Sequence, residues 1–267
     1  MKTIQKLTLG LLTVVASSAG FASNLIIDVT SGSAEVSGAI AGTASKIGAG
    51  VAVLSGNNAS LTALNIQAGE VEINAVNAMP QAVTFSTAAN NILEVTVDGA
   101  SVPALTMTLA GKLLCTNDTT LAGAPSGAAL TVDAAANKVL TIGADLSAGT
   151  SAMVIASAAT VAVGAASGDK MPAASAPAVT VAGILELKSA MAGGYCAGVN
   201  VINGILQVDN SVTVPAFAAA TNSTNTDFFN HWNGSASEGS LKFNSGATLK
   251  LGSGATWARA ITVGTAL

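Results

Sequence analysis

Apolar and polar residues alternate along most of this chain in short bursts. The clearest are Leu25–Thr30, Ser60–Gln67, Glu70–Val76, Ala82–Thr87, Ile92–Asp98, Ala104–Leu109, Ala129–Asp133 and Lys138–Ile142. Further along come Ala178–Lys188, Gly198–Asp209, Ser211–Val214, Ser240–Asn244, Thr248–Leu251 and Ala260–Val263. Successive side chains of an extended strand point to opposite faces, so a period of two predicts strands with one buried face. Gly, Asn, Asp and Ser fill the intervals, as turns require. No stretch sustains the helical period with cap signals; Ala134–Ala136 and Ala218–Ala220 could make isolated turns at most. The predicted class is all-β.

The bursts also echo one another. Ala82–Val95 aligns without gaps to Ala129–Ile142 at an offset of 47 residues, and Gly183–Lys188 aligns to Gly204–Asp209 at an offset of 21. Such periods belong to coiled repeat folds. A parallel β-solenoid fills a narrow interior with Val, Ile, Leu, Ala and Thr and turns its corners on Gly and Asn. A β-sandwich, the alternative, fills a thicker core with aromatics. This chain is only 3% aromatic, and five of its nine aromatics are Phe217, Phe228, Phe229, Trp232 and Phe243. The expected organisation is therefore a leader at residues 1–22, a β-solenoid at 23–216, and an aromatic-containing β region or cap at 217–267.

The leader rests on Lys2 and Lys6, an apolar run from Leu7 to Val15, and small residues up to Ala22. This is the layout of a secretory signal cleaved after Ala22, and the apolar run is too short for a membrane helix. The Thr150–Ala166 stretch is apolar but rich in β-branched residues, which suits strands better than a lipid-facing helix. Cleavage would remove Lys2 and Lys6 from ten basic residues and none of the fourteen acids, leaving a net charge of −6. Only 9% of residues are charged, with one arginine, Arg259, and one histidine, His231. There is accordingly no basic stripe for nucleic acid, no histidine cluster for zinc, and no expected cofactor. Hydrophobic residues make up 50% of the chain, which also disfavours intrinsic disorder. Cys115 and Cys196 are an even pair in a chain expected to be exported, so one disulfide between them is possible by count; two free thiols are the alternative.

The runs AGILELKSA, NGILQVDNSVTV, ANKVLTIGADLSAG and SGATLKLGSGATW resemble the passenger regions of Gram-negative autotransporter proteins. The resemblance covers much of Ala82 to Leu267 and is one of texture, with no diagnostic motif. It implies an extended β-helix displayed at the cell surface, often as an adhesin. Autotransporters end in a membrane barrel with aromatic girdles. This sequence ends Thr265-Ala266-Leu267 after very few aromatics. It is expected to be either a secreted relative exported by another route or a passenger without its barrel.

Chemistry-bearing patterns are sparse. Ser167-Gly168-Asp169-Lys170 fits S-x-x-K but lacks the companion elements of that chemistry, and a polar turn explains it. Glu70 and Glu72 share one strand face, where paired carboxylates could hydrolyse glycosides but are ordinarily just solvated. Asp227 and His231 have the spacing of one helical face, but no serine is placed to complete a triad. Four N-x-S/T matches begin at Asn58, Asn117, Asn222 and Asn233 and are weak on their own. Phe228, Phe229 and Trp232, after the polar run Thr221–Thr226, have the composition of either a contact surface or a cap over the last coil. The expected function is that of an exported surface protein, structural or adhesive and non-catalytic. Its partners would be a host or cell-surface ligand or further copies of itself. A self-assembling surface-layer or filament subunit is the first alternative, and a polysaccharide-active β-helix enzyme the second.

Overall fold

A computed structural model describes residues 5–9, 25–143, 151–164, 179–189, 200–214, 241–243, 245–257 and 262–263. The described chain winds as a parallel β-solenoid, and every strand pair in it is parallel. Sheet I stacks β1 (Gln5–Leu9), β2 (Leu25–Val29), β4 (Gly42–Ile47), β6 (Leu61–Ile66), β8 (Val83–Phe85), β11 (Leu105–Met107) and β14 (Ser126–Gly127). Sheet II begins with β3 (Ser33–Val36), β5 (Val51–Leu54), β7 (Glu70–Ile73), β9 (Asn91–Val95), β12 (Gly111–Cys115) and β15 (Leu130–Ala134). It continues through β17 (Met153–Ile155), β19 (Val179–Val181), β21 (Asn200–Ile202), β24 (Leu241–Phe243) and β27 (Thr262–Val263). Sheet III holds β10 (Ala100–Val102), β13 (Thr119–Leu121), β16 (Val139–Ile142), β18 (Thr160–Val163), β20 (Ile184–Leu187), β22 (Ile205–Val208) and β25 (Thr248–Leu251). A short fourth sheet pairs β23 (Thr213–Val214) with β26 (Thr256–Trp257).

Inward residues stack in register from coil to coil, which is why the strands alternate. In sheet II one inner column runs Ala34, Ala52, Val71, Leu93, Leu113, Val132, Ile155, Val181, Ile202 and Phe243. All ten are buried. Each coil covers its apolar face only with its neighbours, so the core is a continuous thread rather than a ball. Small and β-branched residues dominate because the interior is narrow. Phe85 fits beside Gly111, where an added Cβ would lie 2.8 Å from the ring. Corners need left-handed backbone: Gly48 has φ +79°, and a Cβ there would lie 2.3 Å from the Val29 carbonyl oxygen. The corner asparagines also work across coils. Asn58 accepts from the Ile40 amide at 2.9 Å, and Asn91 donates to the Ile66 carbonyl at 2.8 Å.

The 21-residue echo is one turn of this coil, since Ile184 pairs with Ile205 and Leu185 with Leu206. The 47-residue echo is not. Val83 lies in sheet I between Leu64 and Leu105, whereas Leu130 lies in sheet II between Gly111 and Met153. Both residues face inward, but the echo carries one sheet onto the next side of the coil and is not a coil register. Gln5–Leu9, assigned to the leader, forms a strand in register with Leu25–Val29 at an offset of 20 residues, about one coil. The rest of residues 1–22 lies outside the described residues. In the C-terminal region, β24, β25 and β27 prolong sheets II and III, and Trp257 packs against the core.

Candidate functional site

A group of three carboxylates stands on the outer face of sheet II. Strand alternation that sends Val71, Ile73, Leu93 and Val95 inward sends Glu70, Glu72 and Glu94 outward. Register sets Glu72 directly opposite Glu94 on the neighbouring strand. Strands lie about 4.8 Å apart, and like charges held opposite one another are unfavourable. Partial burial first, then a hydrogen bond with Glu70 and its charge, push the Glu94 carboxyl up to about 7, while Lys112 opposes the rise. Burial and the charge of Glu94 also raise Glu72, against a hydrogen bond from the Thr96 hydroxyl. Lys112 on β12 is engaged by Asp133 at 2.7 Å one coil further on. Glu94 is therefore the carboxyl of this face that keeps its proton closest to neutral pH. Among the described residues no set of three or more His, Cys, Asp or Glu side chains is arranged to hold a metal ion.

A second polar assembly lies on sheet III, where Lys188 bridges Glu186 at 2.9 Å and Asp209 at 3.4 Å. Gln207 donates to Glu186 at 2.7 Å, tying consecutive coils on the outside. Sheet I differs. Its outer face carries the in-register column Ser45, Asn65, Thr84, Thr106 and Ser126, uncharged over those five coils, with Ile26 and then Lys6 continuing the same register beyond Ser45. Ser86 donates to Asn65 at 2.6 Å beside that column. The inner face of the same sheet holds a surprise. The column Ile27, Lys46, Ile66, Phe85 and Met107 contains one lysine. The Lys46 amine turns toward the corner and donates to the carbonyls of Ile47, Gly48 and Ala68 at 3.0, 2.7 and 3.0 Å. Burial pulls its pKa down to about 8, against the attraction of Asp28 and Glu70.

The sequence-derived candidates fare unevenly. Glu70 and Glu72 do share an outer face, and the structure adds Glu94, which only the coil register could bring to them. Asn58 is buried and spent on the corner, so its N-x-S match is structural. Asn117 donates to the Thr96 carbonyl at 2.6 Å. Cys115 is a free thiol on the inner face, pushed up to about 12 mainly by burial. Cys196, its possible partner, lies outside the described residues, as do Ser167–Lys170, Asp227, His231, Phe228, Phe229 and Trp232. No helix among the described residues is long and apolar enough to cross a membrane. No protein-family model, curated protein or solved structure matches the chain, so the resemblance to autotransporter passengers reaches only as far as the β-solenoid itself.

Proposed function

We propose that this chain is an exported, non-catalytic surface protein whose solenoid serves as a structural or adhesive rod. The observation that carries the reading is the outer face of sheet I. There the fold repeats an uncharged hydroxyl or amide group once per coil along Ser45, Asn65, Thr84, Thr106 and Ser126. A row of neutral donors and acceptors at fixed spacing suits repeated polar contacts with a neutral ligand such as a cell-surface glycan. The test has two arms. Mass spectrometry of protein recovered from the outside of expressing cells should find an N-terminus near Ser23, and protease added to intact cells should remove it. Binding to immobilised neutral polysaccharides and to whole cells should then fall at least tenfold in Thr84→Lys, Thr106→Lys protein with an unchanged melting temperature. An intact Met1 on soluble cytoplasmic protein would refute export, and undiminished binding would refute the adhesive face.

A second reading, a subunit that assembles with its own kind, is favoured by the C-terminal coil. Leu251 pairs in register with the buried Val208, yet it is 46% exposed. An inward position is thus open to solvent there. The contact surface expected at Phe228, Phe229 and Trp232 is tested separately by a Phe229→Ser, Trp232→Ser variant. Lost binding with unchanged melting would support a contact, and a large drop in melting temperature a cap.

A further inference from the structure

Water molecules that bridge two fixed polar groups bond almost as well as a direct contact would, at a modest cost in lost freedom. A protein face that fixes many such groups at one spacing therefore orders the water against it. The outer face of sheet I is built that way in two directions. Along the coil axis, the column from Ser45 to Ser126 repeats at the strand spacing of about 4.8 Å. That step is close to the repeat of equivalent oxygens along a row of hexagonal ice. Along the strands, a second column lies two residues further on, about 6.6 Å away, at Gln67, Ser86 and Thr108. Its register follows from the ladder, since the amides of Gln67, Ser86 and Thr108 donate to the carbonyls of Lys46, Ile66 and Phe85 one coil back. We propose that this grid binds ice, holding a layer of water at the lattice spacing and so fixing the solenoid to the surface of a growing crystal.

What the face carries and what it leaves out both select frozen water. Strands β4, β6, β8, β11 and β14 send no charged side chain outward; their lysine, Lys46, is fully buried. Sheets II and III, by contrast, carry Glu72, Glu94, Lys112 and Lys188 on their outer faces. An ion organises its own hydration shell and breaks a water lattice, so in a chain of net charge −4 the neutral side is the one suited to ice. The grid ends where Ile26 and then Lys6 continue its register. Its hydroxyl groups sit on short side chains with little rotamer freedom to lose, and threonine is stiff at χ1. Ser86 donates to Asn65 at 2.6 Å, fixing two grid members to each other across coils. Thr84, Thr106 and Thr108 set a methyl beside each hydroxyl, and such small apolar groups gain by leaving liquid water. Two other neutral partners fit less well. Small-molecule and sugar sites commonly offer an aromatic side chain to stack on, and Phe85, the aromatic of these five strands, is buried on the inner side. A second copy would gain little, because the grid spans about 19 Å by 7 Å, far below the roughly 800 Å² per partner of a stable protein interface. A crystal needs no such area, since each adsorbed molecule blocks growth of the solid around it.

The inference rests on sheet I being the contact face, as in the adhesive reading, and names ice as the ligand there. Nanolitre osmometry measures whether the protein opens a gap between the melting and freezing points of a single crystal, and microscopy of frozen sucrose films follows the growth of ice grains. Three purified proteins are compared: the full chain, a Thr84→Lys, Thr106→Lys double variant, and Ser101→Lys, which puts the same charge on an exposed outer position of sheet III. The full chain and Ser101→Lys should hold freezing below melting and arrest grain growth, and the double variant should lose both effects. Melting temperatures and far-UV circular dichroism check that each protein is folded; should the double variant unfold, Thr106→Lys alone, at an exposed position, decides. A folded full chain that leaves ice growth unchanged would overturn the inference, as would a folded double variant that keeps the effect or a Ser101→Lys protein that loses it equally. Binding to neutral polysaccharide, or dimers in sedimentation velocity that the double variant dissolves, without any effect on ice would also overturn it, while leaving sheet I standing as the contact face.

Discussion

Lys46 shows how one residue can break the hydrophobic rule of a column and still be accommodated. Its aliphatic stem fills the place between Ile27 and Ile66, and its amine reaches three corner carbonyls rather than water. The stem packs as a hydrophobe would while the tip finds polar partners. Two effects oppose each other when it is replaced. Losing a buried cation relieves desolvation, but stranding three partly buried acceptors forfeits charge-assisted bonds of about 1.5–3 kcal/mol each. The second should win, so Lys46→Met is expected to lose about 2 kcal/mol in urea unfolding near pH 7. The pH dependence has a definite sign. Because the folded pKa is lowered to about 8 from 10.5, the unfolded chain binds the extra proton between those values. The contribution of Lys46 to stability therefore rises as pH climbs from about 8 toward 10.5, and the gap between wild type and Lys46→Met should widen over that interval. A gap that narrows there would show that the amine is not held as described. Gly48 beside it has no such latitude. With φ +79° and a Cβ position 2.3 Å from the Val29 oxygen, Gly48→Ala should cost about 2–4 kcal/mol by the same measurement.

Strands β7 and β9 carry the opposite pH signature. Glu72 and Glu94 have raised folded pKa values, so here the folded state is the one that keeps protons the unfolded chain has lost. The contribution of Glu94 is fully present in acid and declines as pH rises from 4.5 through about 7, and Glu72 acts in the same direction. Glu94→Gln should flatten that decline and gain about 0.5–1 kcal/mol at pH 8, the modest size set by solvent screening at half-buried positions. Urea midpoints at pH 5 and pH 8 check it, and a variant that is less stable than wild type at pH 8 would refute the repulsion. Sequence made half of this site legible. The Glu70-Val71-Glu72 spacing put two carboxylates on one face. Glu94 was hidden because its approach depends on the 22-residue step from Glu72, which neither detected echo supplies. The same ignorance of register concealed the sheet I column of Ser, Asn and Thr, whose steps run from 19 to 22 residues. Strands β3 and β4 are hidden for another reason: their Gly-, Ser- and Ala-rich runs hold few large apolar residues to reveal a period.

At the scale of the whole molecule, the sparse aromatics and the 21-residue echo were enough to indicate a solenoid, because both follow from a narrow interior stacked coil on coil. Which residues sit on which side could not be read, since coil length varies: Leu130 pairs with Met153 and Met153 with Val179, steps of 23 and 26 residues. Variable corners absorb insertions without disturbing the inner columns. Stability in such an array is nearly a sum over coils and their interfaces, so a lesion's cost depends on where along the thread it falls. Leu25 and Leu93 make the comparison clean, being the same residue type at 3% and 0% exposure. Leu93 has a coil on either side, paired with Val71 and Leu113. A cavity there cannot be avoided by local opening, and Leu93→Ala should cost about 3–4 kcal/mol. Leu25 lies in the first coil of the solenoid proper, and among the described residues β1 is the one strand beyond it. That coil can fray instead of bearing the cavity, which caps the penalty at the cost of one end interface. Leu25→Ala is therefore expected to lose about half as much as Leu93→Ala in urea unfolding. Amide exchange should agree, with protection in β2 falling to that of a frayed segment while β7, β9 and β12 keep theirs. Equal costs with uniform loss of protection would mean that the ends and the middle open together, and the coils would have to be treated as one cooperative block.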